Sequence, residues 1–206
     1  VGEPDFSSPW HIREAAIYSL EKGETSYTSN LGLEKLRKSI SSYVKFQFDV
    51  DYDPRSEVLV TVGVSEALDL ACRALLNPGE EVVYHEPCYV SYDPSIALAY
   101  GVPVAVSTRS EDNFEVKAEE IEKKISAKSK ILILNFPTNP TGAVMTKEEL
   151  HNIADLCISK DLIVITDEIY SELVYEDNYK HVSIASLPEM KSRSICLLYT
   201  SDAADE

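Results

Sequence analysis

Two short apolar runs, residues 131–134 and 162–165, flank one strong helix signature. Thr146 is followed three residues later by Glu149, the spacing of a capping box, and Leu150, Ile153, Ala154 and Cys157 then recur at helical intervals. This order predicts a strand–helix–strand unit. Each strand runs directly into a polar segment: Asn135-Phe136-Pro137-Thr138-Asn139-Pro140-Thr141-Gly142 after the first, Thr166-Asp167-Glu168-Ile169-Tyr170 after the second. Open parallel α/β sheets bind their ligands at the carboxyl ends of strands, so both segments lie where a ligand is expected.

The rest of the chain repeats the alternation. Residues 11–22 predict a helix stopped by Gly23, and Leu33, Leu36, Ile40, Tyr43 and Val44 mark a second. The apolar run 58–62 predicts a buried strand that passes through Gly63-Val64-Ser65-Glu66 into a helix ended by Asn77-Pro78-Gly79. Residues 82–84 and 102–106 predict strands separated by a helical segment, 91–100, that Gly101 ends, and residues 118–125 a short helix. Apolar runs in place of strict alternation indicate an α/β fold: a mostly parallel sheet with helices on both faces.

Composition narrows the partners. Thirty-five acids against 19 bases give a formal charge of -16, which argues against nucleic acid and anionic membranes as partners. No apolar run approaches the ~20 residues that span a bilayer, and no signal-peptide pattern opens the chain. Cys72, Cys88, Cys157 and Cys196 are widely spaced, and His11, His85, His151 and His181 show no metal spacing, so a reducing cytoplasm and no metal site are expected.

An Asn and an acid–Tyr pair at the ends of neighbouring strands suit a planar, heteroaromatic, anionic cofactor. Gly63-Val64-Ser65, between a strand and a helix, places amide groups and a helix dipole where an anion would sit. It is neither a P-loop nor a dinucleotide fingerprint. Each feature also has a plainer explanation: Asp167 as a helix N-cap, Ser65 as another cap, and Asn139-Pro140-Thr141-Gly142 as an ordinary turn.

Together, Asn139-Pro140-Thr141-Gly142 and, about a helix later, Asp167-Glu168-Ile169-Tyr170 resemble the hallmark pairing of the class I/II aminotransferase family, in its aspartate or aromatic branch. The likeness runs from Gly2-Glu3-Pro4-Asp5-Phe6 to about Cys196. It implies the large-domain fold of pyridoxal-phosphate-dependent transferases, with pyridoxal 5'-phosphate as cofactor. Asp167 would pair with the ring nitrogen, an interaction worth roughly 4 kcal/mol at ~4 Å and an effective dielectric of ~20 before desolvation, or about three pKa units. Tyr170 and Asn139 would donate to the phenolic oxygen, and Gly63, Val64 and Ser65 would hold the phosphate. Tyr89, in Pro87-Cys88-Tyr89-Val90, would stack on the ring; the alternative is a core aromatic. Tyr27, in Ser26-Tyr27-Thr28, would reach the phosphate of a neighbouring subunit in a homodimer; the alternative is a solvated loop tyrosine.

The resemblance also implies what is missing. A transaminase needs a lysine to bind the cofactor covalently and shuttle a proton. Counted without gaps from the Arg193 strand, Asp202 falls in its register, so no catalytic residue is assigned and the chain as given is expected to be inactive. Arginines for the cofactor phosphate and the substrate carboxylate would lie beyond Glu206, and Val1 is not an initiator residue, so an incomplete, internal piece is expected. The implied organisation is an N-terminal segment, 1–45, a partial cofactor-binding large domain, 46–196, an atypical tail, 197–206, and no C-terminal small domain. An antiparallel strand that relatives insert between the Arg193 strand and residues 58–62 would be absent, opening both edges. The implied reaction moves an amino group between an amino acid and a 2-oxo acid. A lyase of the same fold and a non-catalytic regulatory or binding module are the rival functions.

Overall fold

The central strands bury consecutive residues instead of alternate ones, and that decides the architecture. Ile131, Leu132, Ile133 and Leu134 are each at most 2% exposed, which requires cover on both faces of the sheet. The computed structural model describes residues 7–173, Tyr175 and residues 179–198. Five strands, β1 (Glu81–Glu86), β2 (Val102–Ser107), β3 (Ser129–Asn135), β4 (Ile163–Asp167) and β5 (Ser194–Leu197), form one sheet in the order β2-β1-β3-β4-β5. Every pairing is parallel. The expected α/β fold with helices on both faces is therefore what forms.

One face is covered by α3 (Gly63–Leu75) and α4 (Tyr92–Leu98), whose Leu68, Cys72, Tyr92 and Ile96 pack on Val82, Tyr84, Ile131, Ile133 and Ile165. The other is covered by α5 (Ala118–Glu122) and α6 (Lys147–Ser159), through Ile121, Leu150, Ile153 and Cys157 against Val83, Leu132, Leu134 and Val164. A smaller apolar cluster joins Val44 and Phe48 of α2 (Glu34–Phe48) to Val50 and Ala185. α1 (Trp10–Glu21) buries none of its residues, leaving Trp10, Ile12, Ile17, Tyr18 and Leu20 exposed. Gly23 stops it with a positive φ of 74°. All four cysteines are free. Among the described residues no helix is long and apolar enough to cross a membrane.

Two expectations need correction. Residues 58–62 join no strand ladder: Val60 N–H instead donates to the Leu31 carbonyl at 3.1 Å, and its side chain packs against Gly32, where a Cβ would meet it at 2.5 Å. An apolar run becomes a buried strand only with a neighbour, and Leu59 and Val62 stay exposed. β5 likewise pairs with β4 alone among the described residues. The second correction concerns the capping box. Thr146 does cap α6, its hydroxyl accepting from Glu149 N–H at 3.2 Å, but the Glu149 carboxylate does not reach back to Thr146. It accepts from Ala118 N–H at 2.6 Å and so ties the start of α5 to α6.

This division of labour is testable by urea melts. Thr146→Ala should cost about 1 kcal/mol, the usual value of an N-cap. Glu149→Ala should cost at least as much, because it orphans a backbone donor, and α5 should then lose hydrogen-exchange protection while α6 keeps it.

Candidate functional site at the carboxyl ends of the strands

Strand order reverses between β1 and β3, since β2 lies on one side of β1 and all later strands on the other. Such a switch point opens a crevice beyond the strand ends. The polar segments after β3 and β4 meet there, with Asn135 paired directly across from Asp167.

Asp167 ends β4 at 3% exposure. Its Oδ2 accepts from the Tyr92 hydroxyl at 2.6 Å, whereas its Oδ1 is buried with no hydrogen-bond partner. Burial raises its pKa from 3.8 to about 6, helped by the neighbouring charge of Glu168 and opposed by the Tyr92 hydroxyl and by the nearby Ile169 amide, which is too poorly placed to make a hydrogen bond to Oδ1. Burial, with Asp167 beside it, pushes the Tyr92 phenol upward as well, so Tyr92 stays a donor. A buried, singly satisfied carboxylate suits a ligand carrying a cationic N–H, and its bare oxygen argues against the plain N-cap role.

Strand alternation sends the next residue to the opposite face. Glu168 accepts from the Thr166 hydroxyl at 2.9 Å, lies 3.4 Å from His181 Nε2, and donates its backbone N–H to the Leu197 carbonyl at 2.7 Å. It anchors the segment; Asp167 lies on the other side, against Tyr92. Further on, Tyr43 and Gln47 of α2 donate to the Glu172 carboxylate at 2.5 and 2.8 Å.

Asn139 Nδ2 donates to the Tyr170 hydroxyl at 3.3 Å. Tyr170 keeps its own proton, and Asn139 a second N–H, to offer a shared acceptor. Tyr89 packs edge-on against Tyr92, ring centres 5.8 Å apart at 80°, and is only half buried. Beyond it, Tyr84, Glu86, Asp93 and Thr108 help line a concavity of about 590 Å³ that Asp167 does not line.

The structure thus brings Asp167, Asn139, Tyr170 and Tyr89 into one group. Gly63 opens α3 with a φ of 68°, and Ser65 is exposed on its first turn. Val62 N–H there donates to the Glu66 carboxylate, which brings a negative charge to that helix end. Val64 lies between them, half buried. Tyr27 is apart from the group, wholly in solvent on the turn between α1 and α2. Asp202, in the expected register of the lysine, and the segment Gly2–Phe6 lie outside the described residues, as does most of the tail 197–206. Sequence reasoning missed Tyr92 and Asn135. Tyr92 follows Tyr89 by three residues, a helical spacing that could have flagged it; Asn135 opens the motif segment but carries no signal of its own.

Residues 1–201 match the family model described as aminotransferase class I and II. An aspartate aminotransferase of Pyrococcus abyssi (strain GE5 / Orsay) is 45% identical over 195 residues, covering 95% of this chain and 50% of that protein. An aromatic-amino-acid aminotransferase 2 of Thermococcus litoralis is 41% identical, covering 96% of this chain and 50% of that protein. Among solved structures, the aromatic aminotransferase from Pyrococcus horikoshii OT3 superposes with a TM-score of 0.93 at 45% identity, over 95% of this chain and 52% of that one. The chain spans about half the length of the curated relatives it matches.

The state of Asp167 generates two predictions. Its folded pKa, about 6, lies above the ordinary 3.8, so the folded form holds the proton more tightly than the unfolded chain does. Raising pH through this window therefore removes up to about 3 kcal/mol of stability, a loss complete above the folded value. Asp167→Asn should abolish that dependence, so melts of the two proteins from pH 3 to 8 should diverge across the window and run parallel above it. Tyr92→Phe, which deletes the donor, should raise the Asp167 pKa by about one unit or more. Infrared titration of the carboxyl band would read the shift; an unmoved band would contradict the Tyr92 contact.

Proposed function

The chain belongs to the class I and II aminotransferase family, and we propose that its described residues form the pyridoxal-phosphate-binding part of an enzyme that moves an amino group from an amino acid to a 2-oxo acid. The observation that carries this proposal is the bare, buried Oδ1 of Asp167, a few residues before a Tyr170 that is hydrogen-bonded to Asn139. A flat ring with a protonated nitrogen at one position and a phenolic oxygen at another fits these groups together. The bound cofactor would supply an electron sink for the carbon that loses its proton.

The residues of this chain set the conditions for that chemistry. Asp167 holds a proton on the ring nitrogen by charge pairing; buried at the sheet end, it keeps the pair out of water, where it is strongest. Tyr92 keeps Asp167 ionised above pH ~6 and turns its free oxygen toward the ligand. Tyr170 and Asn139 donate to the phenolic oxygen and favour its anionic form. Tyr89 stacks on the ring. Gly63, Val64 and Ser65 receive the phosphate at the start of α3, where the helix dipole favours an anion; the Glu66 carboxylate opposes it and tunes the affinity. A second copy of the chain completes the site: it covers the exposed apolar residues of α1 and receives Tyr27 at its own phosphate subsite. The same family likeness supports this homodimer, and a wholly solvent-exposed Tyr27 is consistent with it.

Pyridoxamine 5'-phosphate tests the proposal, because it binds without a covalent link to lysine. By equilibrium dialysis the protein should take up one equivalent per chain. Asp167→Asn should weaken binding at least about tenfold, since it removes the charge that one pKa unit or more of pairing requires, while Asp167→Glu should retain part of the affinity. No uptake by the parent, or equal uptake by the Asn variant, would refute the assignment.

A further inference from the structure

Asn135 has no reactive chemistry, yet the hydrogen bonds of the site converge on it. At 1% exposure, its side-chain Nδ2 donates to the Asp167 carbonyl at 2.9 Å, and its Oδ1 accepts from Asn139 N–H at 2.8 Å. Its backbone carbonyl accepts from the Thr138 hydroxyl at 2.7 Å, and its backbone N–H donates to His85 Nε2 at 3.3 Å. Burial holds the His85 pKa down to about 4, so that nitrogen stays an acceptor at neutral pH, and the ring stacks on Phe136 at 4.9 Å.

From this convergence we propose that Asn135 is a positioning residue that fixes the distance between Asp167 and the Asn139–Tyr170 pair. The inference rests on the cofactor reading above. On a pyridine ring the nitrogen and the phenolic oxygen have one fixed separation, so the ligand cannot absorb an error in the spacing of the groups that address them. The protein must set that spacing. One amide does so by holding the backbone of both residues, and Asn139 passes the constraint to Tyr170 through its own 3.3 Å bond. A mere strand tie would duplicate bonds already present: β3 and β4 are in parallel register up to the Asn135–Asp167 pair. The side-chain bonds of Asn135 join the last residue of that ladder, Asp167, to Asn139 beyond it, the two residues that would hold the ring. The turn they hold is closed separately, by Thr138 N–H to the Ala143 carbonyl at 2.9 Å and Gly142 N–H to the Thr138 carbonyl at 2.8 Å, so it moves as one piece.

The test uses pyridoxamine 5'-phosphate with the parent protein, Asn135→Ala and Asn135→Asp. Alanine removes both side-chain bonds. Aspartate is isosteric, keeps the acceptor for Asn139 and loses the donor to Asp167, so it carries the test should the alanine variant not fold. Affinity by equilibrium dialysis and the circular dichroism band induced in the bound ligand at saturation are both read. The expected result is a loss of affinity of about tenfold or more, the order of a displaced binding group, together with a smaller or inverted induced band. Parent-like affinity and band overturn the proposal, whatever the melting temperatures. Weaker affinity with an unchanged band also overturns it, because lost stability without lost orientation is what a purely structural tie would give. If the parent does not bind, the proposed function falls first and this inference falls with it.

Discussion

Burying a carboxylate at the end of a parallel strand is the constraint around which this site is built. Asp167 stands at 3% exposure with one oxygen bonded to Tyr92 and the other bare. Ionising it above pH ~6 costs the fold about 3 kcal/mol relative to an exposed carboxylate. That cost already includes the Tyr92 contact: a hydrogen bond to a charged group contributes roughly 1.5–3 kcal/mol, so without it the cost would be larger by about that much. What remains is a group that a cationic N–H would stabilise more than water can. Stability is held back at one buried atom.

Strand geometry separates the two acids that follow each other there. Asp167 points to the face shared with α3 and α4, and Glu168 to the face shared with α2, because side chains alternate along a strand. Glu168 can therefore lock the segment to β5 through its backbone N–H while Asp167 stays available. Tyr43 and Gln47 hold Glu172 from the α2 side, so Tyr170 sits between two anchored points. On the β3 side Asn135 does the equivalent for Asn139. Rigid spacing on both arms suits a ligand that is itself rigid.

The fold was largely legible because its signals are local. Apolar runs with Gly and Pro punctuation placed β1 to β4 within a few residues, whereas the family likeness, not a local signal, placed β5 at Arg193. Residues 58–62 show the limit: the run has the composition of a strand, but a strand is a property of a pair, and pairing partners are not written in the run itself. Asp167, Asn139 and Tyr170 stand out in the sequence because they sit at strand ends and because their two motifs together resemble the aminotransferase pairing. Tyr92, His85 and Asn135 do not, since each acts through an atom contributed by a residue far away in sequence. Glu149 illustrates the same point in a helix cap, where the capping-box spacing is present but the carboxylate bonds a different helix.

The groups proposed to hold the ring address the cofactor alone, and that limits what the likeness to known proteins can carry. One relative is named for aspartate and another for aromatic amino acids, at 45% and 41% identity. Asp167, Asn139, Tyr170 and Tyr89, in the proposed roles, touch nitrogen, oxygen and π-face of a cofactor that such reactions share. None of those contacts distinguishes a carboxymethyl from a benzyl side chain. Discrimination of that kind needs groups that are satisfied by one side chain and left unpaired or unfilled by the other. A set of ring-holding residues is therefore indifferent to the amino donor and serves a transferase and a lyase of the same fold equally; the groups around the substrate decide both.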